Sequence, residues 1–291
     1  MSFSFGHEPV SGNPGFAKGG EEGRGGGAVR LWWLGQAGFA ICAAGRRILI
    51  DPYLSDSLAK KYRGQEFDYV RLMPAPIKTE EITALDYVFC SHGHTDHLDP
   101  ETLTPLLRAN PQCRVVAPAA VRNLALARGV PEANLVPANA GDAITLDGAL
   151  QLKALASAHE ELALDERGNH LFLGYVLKCG GITLYHSGDC TPYEGLAESL
   201  KRAAPDVALL PVNGRDAYRR ERKILGNFTL QEALELCEAA GIRAMIAHHF
   251  GMFAFNTADP VAMRAFLRQY KGKVRCLIPE VNQSLEITVD H

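Results

Sequence analysis

The chain lacks several things, and each absence narrows its class. No apolar run among its 291 residues approaches the roughly 18 that a membrane helix needs, so no span is expected. Neither sign of charge dominates. The formal net charge is −3, which supplies no broad basic field for nucleic acid. No basic start leads into an apolar core, so a secretory signal is not expected. None of the seven cysteines forms a C-x-x-C pair, and most lie in apolar, strand-like stretches. That pattern suits buried free thiols in a reducing, cytoplasmic setting rather than a disulfide framework. No repeat of solenoid period is present.

Apolar residues make up 47% of the chain, enough to build a large core. Residues 1–28 are the exception: a glycine-rich leader, which composition marks as a flexible arm that gains order only by resting on the body or a neighbouring subunit. The body, residues 29–291, is regular. "VRLWWL" reads as a strand, "GFAICAAGRRILID" as two strands around Gly45, and "DYVFCS" as a short buried strand. Residues 52–82 look irregular. "PETLTPLLRAN" reads as a helix with Pro100 in its first turn, and "AAVRNLALARG" as a helix closed by Gly129. Hairpins are expected at "AITLD"/"LQLKALAS" and around Gly180 and Gly181, with β-α alternation to the end. Mixed sheets with helices outside are the natural packing, giving an α/β fold.

Three of the ten histidines fall in "CSHGHTDHLDP", directly after a buried strand. In an extended segment, side chains at i and i+2 point the same way, so His92 and His94 converge on one point. Asp96 and His97 lie where the chain turns towards the next helix and can address a second point. Imidazole nitrogen and carboxylate oxygen suit zinc, manganese or iron. The competing reading is a polar turn that caps the helix. Further donors lie at later strand ends: His159 in "SAHE", His186 and Asp189 in "YHSGD", and His248 and His249 in "AMIAHH". Several polar strand ends that follow one such cluster favour a metal site.

The placing of Asp51 after a strand, the His92–His97 cluster, and then His159, Asp189 and His248 resembles the metallo-β-lactamase superfamily. "WWLGQAGFAI", "YHSGD" and "HHFGMFAFNTADP" look like the branch that contains L-ascorbate-6-phosphate lactonase, and more distantly like a phospholipase D acting on N-acylated lipids. The resemblance covers roughly residues 29–270. It implies a four-layer αβ/βα sandwich of two mixed sheets, with two divalent metal ions at one edge. By the same resemblance His92, His94 and His159 hold one ion, Asp96, His97 and His248 hold the other, and Asp189 bridges them. Asp51 orients ligands from behind. His159 offers a ligand at a position that varies in the lactonase pattern.

Neighbours on a strand point to opposite sides, so His248 is taken as the ligand and His249 as facing the substrate or the following helix. His186 is expected to be a packed strand residue, and His170 to lie at the surface. No role is assigned to His7 or His291. Cys190 is expected to be a neutral buried thiol. Ser187 lacks the G-x-S-x-G context of a nucleophile elbow.

The chemistry implied is hydrolysis: cations acidify a water, Asp96 accepts its proton, and Asp96 and Asp189 are the catalytic carboxylates. The loop "NGRDAYRRERKILGNFT" is rich in arginine, and Arg215 is the predicted anion contact, with Asn213 and Gly214 forming the floor. Tyr193 is expected to line the pocket, and Tyr62 and Arg63 its entrance. The expected substrate is therefore a small anionic lactone or related ester, such as a sugar-phosphate lactone. A phosphodiesterase acting on nucleic acid or phospholipid, and a non-catalytic metal-binding protein, are the alternatives. The lactonase resemblance and the leader point to a homo-oligomer.

Overall fold

A computed structural model describes residues 3–9, 16, 28–148, 150–281 and 283–289. The strands are β1 (Phe3–Pro9), β2 (Ala28–Gly35), β3 (Gly38–Ala43), β4 (Arg46–Ile50), β5 (Tyr87–Phe89), β6 (Arg114–Pro118), β7 (Leu135–Ala138), β8 (Ala143–Asp147), β9 (Leu150–Ala156), β10 (Leu173–Cys179), β11 (Ile182–His186), β12 (Val207–Pro211), β13 (Ala244–His248), β14 (Arg275–Leu277) and β15 (Gln283–Val289). The helices are α1 (Ser57–Lys61), α2 (Pro100–Ala109), α3 (Arg122–Ala127), α4 (Leu196–Ala203), α5 (Ala217–Glu221), α6 (Leu230–Ala240) and α7 (Pro260–Gln269).

The strands form two mixed sheets. One has eight strands in the order β1-β15-β2-β3-β4-β5-β6-β7, and the other seven in the order β14-β13-β12-β11-β10-β9-β8. The first sheet is apolar on both faces, which is why its strands read as nearly unbroken apolar runs. Val29, Leu31 and Trp33 of β2, with Phe39 and Ile41 of β3, belong to the core that joins the two sheets. The intervening Trp32, Leu34, Ala40 and Cys42 pack instead with Leu103, Leu106 and Leu107 of α2. On the far side α6 covers β12 and β13. The result is the four-layer αβ/βα sandwich, the metallo-β-lactamase fold.

The sequence-predicted elements appear with small shifts. α4 begins only at Leu196, because Gly195 sits at φ +88° and breaks the backbone before it. The short α1 interrupts the stretch expected to be irregular, and β7 and α5 carry no clear periodicity in the sequence. Part of the glycine-rich leader is a strand: β1 pairs antiparallel with β15 from Phe3↔Val289 to Pro9↔Gln283. Phe16 is buried against Trp32. The remaining leader residues lie outside the described residues. All seven cysteines are free thiols, and six are buried.

Strand direction decides where the site lies. β4, β5 and β6 run parallel, as do β11, β12 and β13. β9 reaches the same orientation as β11 through two antiparallel steps across β10. The C-terminal ends of β4, β5, β9, β11 and β13 therefore open onto one edge of the sandwich.

Candidate metal centre

Two groups of donors meet at that edge. His92, His94, His159 and Asp189 place one ligand atom each within 4.8 Å of one another, and so do Asp96, His97 and His249. Asp189 reaches both groups: its Oδ2 lies 3.6 Å from His159 Nε2, while its Oδ1 lies 3.5 Å from His97 Nε2 and 3.2 Å from His249 Nε2. A carboxylate with one oxygen turned to each group is placed to join two cations.

The loop that carries His92–His97 is held from behind. Asp51, fully buried, accepts hydrogen bonds from the Ser91 backbone N–H (2.7 Å) and the Ser91 hydroxyl (2.6 Å), and lies 2.8 Å from His97 Nδ1. A hydrogen bond at Nδ1 fixes the tautomer and leaves Nε2 as a bare lone pair facing the site. The loop then runs into α2, whose first turn is capped by Asp99. Gly188 sits at φ +60°, and a Cβ there would come 2.5 Å from that of Ser91, so only glycine lets the β11 loop approach Asp51's partner this closely. On the other sheet Ser157 Oγ donates to the Asp189 carbonyl, and the Thr191 N–H to that of Ala158, tying the His159 and Asp189 loops together.

The donor set fits divalent cations. His92 Nε2, His97 Nε2 and Asp189 Oδ1 are buried with no hydrogen-bond partner among the described residues. Such orphaned atoms are costly unless something completes them. Burial holds the imidazoles of His92 and His94 below their usual range and pushes His159 down to about 4, so they are neutral, the state a cation requires. His97 departs upward. Burial opposes its charge, but Asp189, Asp51 and Asp96 outweigh burial and favour the protonated ring. Here a proton stands in for the cation. Asp189 is held well below the carboxylate range, since His249 and His97 overcome the effect of burial.

One ligand assignment changes. His249 completes the second group, and His248 does not. β13 ends at His248, and His249 lies at φ +62°, which breaks the alternation of the strand and swings its ring towards Asp96, His97 and Asp189. His248 stays in strand geometry, fully buried and stacked on His186 with ring centroids 4.8 Å apart and planes within 5°. His186 is packed as expected, with Nε2 2.9 Å from the Ala37 carbonyl. His170 is half-buried, its Nδ1 3.1 Å from Asn139 Oδ1. Burial pushes the Cys190 thiol up to about 11, consistent with a neutral packed cysteine.

The predicted substrate contacts fare worse. Arg215 donates two 2.7 Å hydrogen bonds to Glu232 and a third to the Asn227 carbonyl, so its guanidinium is spent on holding the start of α6. Asn213 is buried in an amide network with Asn227 and Asn256. Tyr193 donates to the Ala156 carbonyl at 2.6 Å and lies away from the donor groups. None of the three lines the cavity over the site, which measures about 250 Å³; Arg215 lies in the wall of an adjoining cavity that shares His159 and Leu225 with it. The walls of the cavity over the site include Tyr62, as expected for the entrance, together with Tyr69, Phe253 and Asn256; Arg63 is absent from them. Lys61, Arg128 and Lys223 supply its cations.

Sequence reasoning passed over Gln36. It lies in the tight turn between β2 and β3, 1% exposed, at φ +51°. Its Nε2 donates to Asp96 Oδ2 at 2.9 Å and lies 3.1 Å from His249 Nε2. The signal in the sequence was a polar residue flanked by glycine and alanine inside the apolar "WWLGQAGFAI".

A sandwich of two mixed sheets with a histidine and aspartate donor set at one edge defines a metal-dependent hydrolase of the metallo-β-lactamase class. Residues 46–250 match the beta-lactamase superfamily domain, and the chain belongs to that superfamily. It is 28% identical over 262 residues to a UPF0173 metal-dependent hydrolase of Myxococcus xanthus, covering 87% of this chain and 82% of that protein. Its fold is similar to that of Igni18, a metallo hydrolase from Ignicoccus hospitalis (TM-score 0.68, 18% identity, covering 90% and 100% of the two chains). It is also similar to an isothiocyanate hydrolase from Delia radicum gut bacteria (TM-score 0.71, 18% identity, covering 89% and 100%). No helix among the described residues is long and apolar enough to cross a membrane.

Proposed function

We propose that the protein hydrolyses a small anionic lactone or related ester, of the sugar-phosphate lactone kind, with two divalent cations held by His92, His94 and His159 on one side, Asp96, His97 and His249 on the other, and Asp189 between. Zinc, manganese and iron all suit these nitrogen and oxygen donors. Such cations supply Lewis acidity and lower the pKa of water.

The chain's own groups do the rest. Asp96, anionic because His97, His249 and His94 outweigh the effect of its burial, accepts the proton of the attacking water at the oxygen that Gln36 leaves free. Asp51 keeps His97 in the ligating tautomer. Tyr62, Tyr69 and Phe253 wall the cavity and limit access of bulk water.

The cavity itself carries the substrate reading. It is small, and its wall carries exposed Lys61 and Lys223 and also Arg128, whose Nη1 donates to the Gly93 and Leu98 carbonyls; its carboxylates Asp96 and Asp189 lie beside the histidines. An anionic substituent on the substrate finds its counter-charge there. An extended phosphodiester needs a longer basic track, which a net charge of −3 does not favour.

A panel decides between the readings: sugar-phosphate lactones and neutral lactones against bis-p-nitrophenyl phosphate and an isothiocyanate, each with Zn²⁺ or Mn²⁺ supplied. Turnover of anionic lactones above the rest supports the proposal. Preference for the phosphodiester overturns it, and the absence of any bound metal ion removes the hydrolase reading altogether.

A further inference from the structure

The two donor groups are not equivalent, and the difference lies in Gln36. Two of the three side chains in the Asp96–His97–His249 group already contact its amide: Asp96 Oδ2 at 2.9 Å and His249 Nε2 at 3.1 Å. An amide N–H is a donor and competes with a cation for the same lone pairs. The opposite amide orientation is excluded, because it would set Oε1 against the Asp96 carboxylate. Asp189 offers one oxygen to each group, and His92 Nε2 and His97 Nε2 are alike without a partner among the described residues, but no amide intrudes on the His92–His94–His159–Asp189 group.

Gln36 cannot easily withdraw. Its carbonyl accepts hydrogen bonds from Trp33 Nε1 (3.0 Å) and from the His249 backbone N–H (2.8 Å), so the turn that carries it is pinned to the same residue its side chain touches. The side chain is buried, and its Oε1 has no partner among the described residues. That oxygen is unsatisfied while Nε2 faces the donors.

We propose that Gln36 makes the Asp96–His97–His249 group the weaker of two cation sites, so that the His92–His94–His159–Asp189 group fills first and the second ion binds only as the amide gives up His249. The inference rests on the two-cation reading above. It makes the second ion the exchangeable one, and activity then depends on free metal concentration in a range where the first ion is already bound.

Calorimetric titration of the metal-free full chain with Zn²⁺ alone, repeated with Mn²⁺, tests this without reference to any substrate. Wild type should show two steps separated by tenfold or more in Kd. Gln36→Leu removes the competing donor and should tighten the second step by about tenfold, the weight of one hydrogen bond, with the first step unchanged. The unchanged first step also reports that the variant is folded. Gln36→Glu, which offers an anionic ligand in place of the donor, should tighten the second step further and covers the case in which the leucine variant does not fold. Two equal steps in wild type, or a second step weakened in Gln36→Leu, overturns the assignment of Gln36 while leaving the metal-dependent reading intact. A wild type that binds no ion fails that reading first.

Discussion

Asp51 Oδ2 and His97 Nδ1 lie 2.8 Å apart, both fully buried, and the pair joins the end of β4 to the loop after β5. A carboxylate behind a ligating imidazole orients the ring and raises its basicity. Asp51→Asn preserves shape and suits the residue's φ of +43°, because asparagine tolerates the left-handed region. It should weaken cation binding about 10–100-fold while the fold persists. Titration with a competing chelator measures this, and unchanged affinity would leave Asp51 a purely structural residue.

The adjacent histidines separate cleanly. His249→Ala should lower bound metal from two ions to one, with little loss of stability. His248→Ala should keep both ions but cost about 2 kcal/mol or more, since it empties a fully buried site stacked on His186. Elemental analysis beside urea unfolding distinguishes them, and the reverse pattern would restore His248 as the ligand.

Arg215→Ala should leave KM for an anionic substrate unchanged. Its paired bonds to Glu232 brace the capping box of α6, both side chains being about a quarter exposed (26% and 27%), so the loss should appear as about 1 kcal/mol of stability. A raised KM at unchanged melting temperature would return Arg215 to the substrate.

The metal-free protein should lose stability in mild acid. His159 is pushed down to about 4 by burial, whereas an unfolded histidine titrates near 6.5. Between those values the unfolded chain binds the extra proton, so stability falls as pH drops through that window and levels off below it. The contribution is on the order of 3 kcal/mol. His97 acts in the opposite sense: its raised value adds stability at low pH that is lost as pH rises through the folded value. His159→Gln should flatten the acid limb of a plot of unfolding free energy against pH. Saturating Zn²⁺ should instead steepen it, because protons must displace the ion.

Much of the fold was legible. The short apolar runs of β2, β3 and β5 and the proline that opens α2 are local properties, fixed within a few residues of chain. The illegible parts, β7 and α5, are short elements whose form depends on the neighbours they pack against. At the site, the spacing of His92, His94, Asp96 and His97 is local, and the structure gathers all four. Arg215, Asn213 and Tyr193 were placed by their distance along the chain from a strand end, and that distance does not say which partner a long side chain finds. Glu232 lies 17 residues beyond Arg215, and Asn256 lies 43 beyond Asn213.

The sequence by itself determined that metal-binding side chains stand at strand ends and that a carboxylate, Asp51, precedes them, because side-chain chemistry and the period of a strand are written in consecutive residues. Only the tertiary structure decided that His249 rather than His248 turns inward, that Gln36 enters the second group, and that Arg215 is committed to Glu232. Each of these depends on a backbone turned into the left-handed region or on a partner brought from another layer. Neither is encoded in local spacing.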